Sequence, residues 1–156
     1  AEIARDRFGL QLTFHPNTET HVEYEDQIET LLDQTDADLV QLCLDIGHHA
    51  YRHGDAISFI RKHHQRMPHI HFKNVNRELL RKFETEGIWV GKASGLGVFC
   101  ELSDGIVNYK SVCDILKEID YSGYAIVEQD MYPAPFDQPL PIAKRALEYL
   151  RKIGIE

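Results

Sequence analysis

Short apolar runs alternate with amphipathic stretches along the chain, and this alternation constrains the fold more than any other feature. Four such runs lie at residues 10–15 (LQLTFH), 39–45 (LVQLCLD), 69–73 (HIHFK) and 124–128 (YAIVE). Each is short and bounded by turn residues, which is typical of buried parallel strands. The chain therefore favours an α/β fold.

Helix patterns separate the strands. Apolar residues recur at intervals of three and four over residues 25–34, 55–64, 109–119 and 140–153, which predicts four helices that each bury one face. A further helix is expected before Gly9, which is suited to end it. Four successive strand–helix units predict a parallel sheet with right-handed crossovers.

Two folds could contain such a sheet at this point: a doubly wound open sheet, or part of a (β/α)₈ barrel. A complete barrel needs about 250 residues, so four units in 156 residues would form half of one. No GxGxxG or GxxxxGK[ST] motif follows a strand, which argues against an open sheet that binds a nucleotide. We expect one domain over residues 1–156.

A long insertion, roughly residues 77–107, separates the third strand from its helix. Its glycine-rich part, residues 95–105, is expected either to fold over the site as a lid or to form an irregular surface loop.

The charge of the chain excludes some functions. With 17 Lys+Arg against 25 Asp+Glu, the formal net charge is −8, so a nucleic acid is not an expected partner. No apolar run is long enough for a membrane helix, and the start lacks the order of a signal peptide, so we expect a cytoplasmic protein without a membrane partner. The three cysteines have no metal-like spacing and are expected in the core.

Each predicted strand ends in, or just after, a metal-capable or acidic side chain. These residues are His15, Asp45, His71 and Glu128. Because the carboxyl ends of parallel strands share one edge of the sheet, the four side chains are expected to converge there. They would form a mixed oxygen and nitrogen site for Mn²⁺, Co²⁺, Mg²⁺ or Zn²⁺. The alternative is that strand ends are polar because they emerge into solvent.

Neighbouring residues suggest how a substrate would be held. His48 follows Asp45 across a glycine and could reach a ligand on the same metal. Lys73 continues the strand face of His69 and His71, and Arg77 follows in the loop, so either cation could hold a substrate oxygen.

The insertion contributes a further candidate for the site. Glu101 lies in its glycine-rich part and would contact substrate if that part closes over the strand ends. His69, one layer deeper than His71, is expected either to support the ligands or to pack in the core.

Five sequence segments resemble the C-terminal half of proteins in the sugar phosphate isomerase/epimerase superfamily, the xylose-isomerase-like TIM barrels. Within it the chain is most similar to inosose dehydratases of myo-inositol catabolism. The segments lie at residues 14–23 (FHPNTETHVE), 42–55 (LCLDIGHHAYRHGD), 69–75 (HIHFKNV), 97–109 (GVFCELSDGIVNY) and 125–145 (AIVEQDMYPAPFDQPLPIAKR).

The resemblance implies that Asp45, His71 and Glu128 bind a divalent metal, most readily Mn²⁺ or Co²⁺, and that His48 touches substrate. Such barrels usually present a further glutamate from the strand that here reads Thr13-Phe14-His15, so His15 becomes the candidate fourth ligand. Asn17 stands where another histidine is expected.

The implied chemistry takes place next to the carbonyl of a keto-polyol or sugar. Glu128 or a histidine would move a proton, and Lys73 or His48 would assist a leaving hydroxyl. The outcome would be dehydration, as in an inosose dehydratase-like lyase, or isomerisation or epimerisation. Alternatively, the chain is an inert half-barrel that self-associates or pairs with an N-terminal half.

Overall fold

Four parallel strands form the centre of the protein, whose computed structural model describes residues 1–155. The strands of the structure are β1 (Leu12–Phe14), β2 (Val40–Asp45), β3 (His69–Phe72), β4 (Asn74–Val75), β5 (Phe99–Cys100) and β6 (Tyr124–Val127). The main sheet has the order β1-β2-β3-β6, and each neighbouring pair is parallel. All four predicted strands are therefore confirmed, in a parallel sheet.

Eight α-helices lie among the described residues 1–155. They are α1 (Glu2–Phe8), α2 (Glu25–Asp33), α3 (Ile46–Tyr51), α4 (Ala56–His63), α5 (Arg77–Glu86), α6 (Val90–Gly95), α7 (Tyr109–Glu118) and α8 (Pro139–Lys152). Of these, α2, α4, α7 and α8 are the four that the apolar spacing predicts. Asp55 and Asn108 cap α4 and α7 by accepting backbone N–H groups. Gly9 ends α1 in the left-handed conformation, with φ of 62°. None of the helices in residues 1–155 combines the length and apolar content that a membrane span requires.

The two faces of the sheet differ in chemistry because side chains alternate along each strand. Leu42, Leu44, Ile70 and Phe72 are fully buried in the main apolar core, together with residues of α2, α4, α7 and α8. The alternate residues of β2 and β3 face the other side, where Asp45 lies beside His71 in register. The core therefore lies between sheet and helices, and the ionisable side chains lie on the opposite face.

The two outer strands of the sheet leave apolar side chains exposed. On β6, Tyr124 is 74% and Ile126 46% exposed, and Leu12 on β1 is 44% exposed. Among residues 1–155 nothing closes the sheet, since β1 and β6 are its two edges.

The insertion at residues 77–107 contains two helices and a short strand, and its glycine-rich part, residues 95–105, consists mainly of turns and bends around that strand. The role of this part as a lid stays a prediction. The two helices are α5 and α6, and β5 returns to pair with β4 in an antiparallel two-stranded sheet. The apolar side chains of the insertion form a second core, separate from the main one, in which Leu80, Phe83, Val98 and Phe99 pack with Val75 of β4 and Tyr51 of α3. The insertion is thus a folded unit attached where β3 ends.

A buried asparagine ties the two ends of this insertion together. The Nδ2 group of Asn74 donates to Leu102 O at 2.8 Å and to Val107 O at 3.1 Å. Its Oδ1 atom accepts from the backbone N–H groups of Val75 and Val107, each at 2.9 Å. Gly105 packs directly on this side chain, since a Cβ there would lie 2.1 Å from Asn74 Oδ1.

Asn74→Ala is expected to lower the free energy of unfolding by about 3 kcal/mol, because buried backbone groups that lose their partner cost about 1–3 kcal/mol each. Urea unfolding measures this change. Asn76→Ala is the matched control, since Asn76 only caps α5, and it should cost about 1 kcal/mol. Equal losses in the two variants would contradict the role given to Asn74.

Candidate functional site

Four side chains from the carboxyl ends of four strands converge on one face of the sheet. They are His15 after β1, Asp45 at the end of β2, His71 in β3 and Glu128 after β6. One potential ligand atom from each lies within 4.8 Å of the others. The convergence expected from the sequence is therefore present.

Two of these potential ligand atoms, His15 Nε2 and His71 Nδ1, are buried without a hydrogen-bond partner among residues 1–155, and the third buried atom, Asp45 Oδ2, has Lys73 Nζ at 3.0 Å as its charged neighbour. The Oδ2 atom of Asp45 lies 3.6 Å from His15 Nε2 and 3.7 Å from His71 Nδ1. Glu128 Oε2 lies 2.5 Å from His71 Nδ1, without hydrogen-bond alignment. Buried polar atoms are rarely left unpaired, and two imidazoles with two carboxylates are a donor set that fits a divalent cation such as Mn²⁺, Co²⁺ or Zn²⁺.

Asp45 uses its two oxygens differently. Its Oδ1 atom accepts the backbone N–H of His48 at 2.9 Å and so caps α3, which leaves Oδ2 to face the histidines. Burial alone would raise the pKa of Asp45. The close His15 and His71 side chains, with the positive charge of Lys73, outweigh burial and hold this pKa well below its usual range.

Lys73 lies at the centre of the site, on the face predicted from the spacing of His69 and His71. Its side chain is 1% exposed, and Nζ lies 3.0 Å from both Asp45 Oδ2 and Glu128 Oε1. Burial opposes its charge, but the surrounding carboxylates raise the pKa of Lys73 above its ordinary value. Lys73 is therefore an ammonium ion at neutral pH.

The backbone around Lys73 is packed to hold this position. Gly47, in the first turn of α3, lies against it, and a Cβ at Gly47 would be 2.9 Å from the Lys73 carbonyl carbon. The hydroxyl of Tyr109 donates to Lys73 O at 2.7 Å. A glycine at position 47 is thus required by the close approach of α3 to the end of β3.

His48 lies beside the four converging side chains. Its Nδ1 atom is 3.0 Å from Thr18 Oγ1 and its Nε2 atom is 3.1 Å from Lys73 Nζ. The ring also packs edge-on against Phe99 of the insertion, at 5.1 Å between centroids. Burial lowers the pKa of His48 to about 4, so this imidazole is neutral at pH 7.

Two residues of the site were missed by the sequence reasoning. Asp130 Oδ2 lies 3.1 Å from Lys73 Nζ and 3.8 Å from His48 Nε2. The spacing of Glu128 and Asp130, two residues apart in an extended segment, is the signal that could have found it. Thr18 is buried beneath His48, and nothing in the local sequence pattern indicates this contact.

Three other candidates lie outside the set of converging side chains. Arg77 is an exposed first residue of α5, and no partner among residues 1–155 forms an ion pair with it. Glu101 binds Arg145 of α8, with oxygen and nitrogen 2.6 Å apart. The substrate contacts expected of Arg77 and Glu101 stay predictions. His69 lies one layer deeper, with its ring 5.1 Å from that of His71 and its buried Nε2 unpaired among the described residues.

The strand order, the helices over one face and the side chains at the strand ends define a protein of the (β/α) barrel class. The chain belongs to the xylose isomerase-like TIM barrel family, whose model matches residues 1–153. This membership decides between the two folds left open by the sequence, in favour of the barrel.

Curated relatives are inosose dehydratases. That of Bacillus licheniformis is 33% identical over 149 residues, which cover 96% of this chain and 49% of that protein. That of Bacillus velezensis is 32% identical over 143 residues, which cover 92% of this chain and 48% of that protein. The chain thus spans about half the length of the curated relatives it matches.

Solved structures show the same fold. The probable 3-DHS dehydratase of Bacillus anthracis superposes with a TM-score of 0.73 at 19% identity, over 94% of this chain and 51% of that one. The 3-keto-D-glucoside 4-epimerase of E. coli superposes with a TM-score of 0.68 at 14% identity, over 97% of this chain and 49% of that one.

Proposed function

We propose that this chain carries the divalent-metal site of an enzyme that acts next to the carbonyl of a keto-polyol or sugar, as an inosose dehydratase-like lyase. The observation that carries the proposal is the set of four potential ligand atoms within 4.8 Å, contributed by His15, Asp45, His71 and Glu128. The His15 and His71 nitrogen atoms of this set have no hydrogen-bond partner among the described residues. The names of the curated relatives favour an inosose as substrate.

Mn²⁺ or Co²⁺ is the proposed ion, and Mg²⁺ or Zn²⁺ would also suit the donor set. When bound, such an ion supplies Lewis acidity to a substrate carbonyl oxygen, which makes a neighbouring C–H easier to deprotonate.

The remaining steps fall to residues of this chain. Glu128 and neutral His48 are the groups we assign to proton transfer at carbon. Lys73, held charged by its carboxylate neighbours, would donate a proton or a hydrogen bond to the departing hydroxyl. If the proton instead returned to the other carbon or the other face, the same site would catalyse isomerisation or epimerisation.

Calorimetric titration with Mn²⁺ should give one site of micromolar affinity or better. Asp45→Asn and His71→Ala should each weaken binding by more than about 100-fold, because losing a direct ligand costs more than losing an outer partner, which is worth about 10- to 100-fold. Asp55→Asn is the matched control, since Asp55 caps α4 as Asp45 caps α3. A wild-type chain that binds none of the four ions would overturn the proposed metal site.

The reaction can be followed by mass spectrometry after incubation with an inosose and Mn²⁺. Dehydration gives a product lighter by one water, and this is the result we expect, with its loss in Lys73→Met. An isomerised or epimerised product keeps the mass of the substrate and would be separated chromatographically. A chain that binds metal without turnover would favour the inert half-barrel.

We also propose that a second barrel half covers the open face of the sheet. When the chain is purified alone, a second copy of it would cover this face, so that the chain forms a dimer. The edges of β1 and β6 offer unpaired backbone groups, and Tyr124 and Ile126 add exposed apolar surface beside them. The cytoplasmic location expected from the sequence stays a prediction.

Sedimentation velocity should therefore show a dimer of the purified chain at micromolar concentration. Ile126→Lys should shift it to the monomer, because a charge on the covered face is costly to bury. Trp89→Ser, which removes an apolar side chain 63% exposed on the insertion, should leave the dimer intact. A wild-type monomer would contradict the proposal.

A further inference from the structure

The ammonium group of Lys73 is surrounded by more hydrogen-bond acceptors than it has N–H donors. Its Nζ atom lies 3.0 to 3.1 Å from Asp45, Glu128, Asp130 and His48. An ammonium group carries three N–H bonds. At least one of the four acceptors must therefore find another partner.

Asp45 Oδ2 is the acceptor for which the lysine and a metal ion would compete. Its Oδ1 atom is committed to the cap of α3, and Oδ2 faces Lys73 on one side and the two histidines on the other. Glu128 is divided in the same way, with Oε1 at 3.0 Å from Lys73 and Oε2 at 2.5 Å from His71. Both carboxylates of the proposed ligand set are thus shared with the lysine.

Asp130 differs from these two carboxylates because it lies outside the ligand set. The group of converging ligand atoms includes His15, Asp45, His71 and Glu128 but not Asp130. Its Oδ2 atom faces Lys73 at 3.1 Å and His48 at 3.8 Å. Asp130 is therefore the one carboxylate of the three around Lys73 that is not a proposed metal ligand.

The charges balance only when all three carboxylates are present. A divalent ion is matched by Asp45 and Glu128, and the Lys73 ammonium is matched by Asp130. Lys73 is 0% and Asp45 1% exposed, and an uncompensated charge at such a depth is strongly destabilising. Without Asp130, the Lys73 ammonium would have to be neutralised by Asp45 and Glu128, the carboxylates that the divalent ion needs as ligands.

We propose that Asp130 is a positioning residue that binds Lys73 and thereby leaves the carboxylates of Asp45 and Glu128 free to hold the divalent ion. This inference rests on the proposed function, because it concerns affinity at the proposed metal site. It assigns to Asp130 no contact with the ion or the substrate.

The test is a set of Mn²⁺ titrations by calorimetry, with the metal-free fold of each variant checked by circular dichroism. Asp130→Asn should weaken binding about 10- to 100-fold, the range for an outer-shell partner. Adding Lys73→Met to Asp130→Asn removes both members of the pair and should restore at least wild-type affinity. Asp137→Asn, the same change at an exposed position of the same loop, should have no effect.

Each alternative result is distinct. Unchanged affinity in Asp130→Asn, or an equal loss in the single and double variants, overturns the role of Asp130 while the metal site stands. Lys73→Met alone should bind Mn²⁺ at least as tightly as wild type, and weaker binding would also overturn the inference, even if Asp130→Asn failed to fold. Absence of binding in the wild type overturns the metal site and this inference together.

Discussion

The alternation of side chains along β2 and β3 is the constraint on which the rest of the structure depends. Because neighbouring residues face opposite sides, Leu44 and Ile70 enter the core beneath the helices, while Asp45 and His71 face away from it. Parallel pairing then places the ends of four such strands at one edge. The apolar core and the ionisable site therefore lie on opposite faces of the same sheet.

Charge compensation allows ionised side chains to be buried at this edge of the sheet. The ammonium of Lys73 lies among three carboxylates, and each compensates for the loss of water around the lysine. The same arrangement keeps Asp45 ionised despite its burial. Two of its carboxylates, Asp45 and Glu128, also face the His71 imidazole, whose Nδ1 atom is unpaired among residues 1–155, and this arrangement supports the proposed divalent-metal site.

The insertion is coupled to the site by its anchoring residues. Asn74 binds backbone groups at both ends of the segment, directly after Lys73 in the chain. Phe99, from the core of the insertion, packs on His48 and lies 5.2 Å from Lys73 Nζ. The segment therefore helps to form the wall of the site, and the second apolar core keeps that wall in place.

The sequence by itself determined the four strands of the main sheet, the helices α2, α4, α7 and α8, and the candidate ligands His15, Asp45, His71 and Glu128. These features follow from local periodicity, since a residue at the end of a buried parallel strand reaches a fixed edge whatever the loops do. Only the tertiary structure decided that Thr18 and Asp130 join the site, that Glu101 turns to Arg145, and that residues 77–107 fold around a second core. Those contacts depend on the paths of loops between distant residues, and such paths are set by packing and charge across the whole molecule. Only Asp130, two residues after Glu128, had a local signal in the sequence.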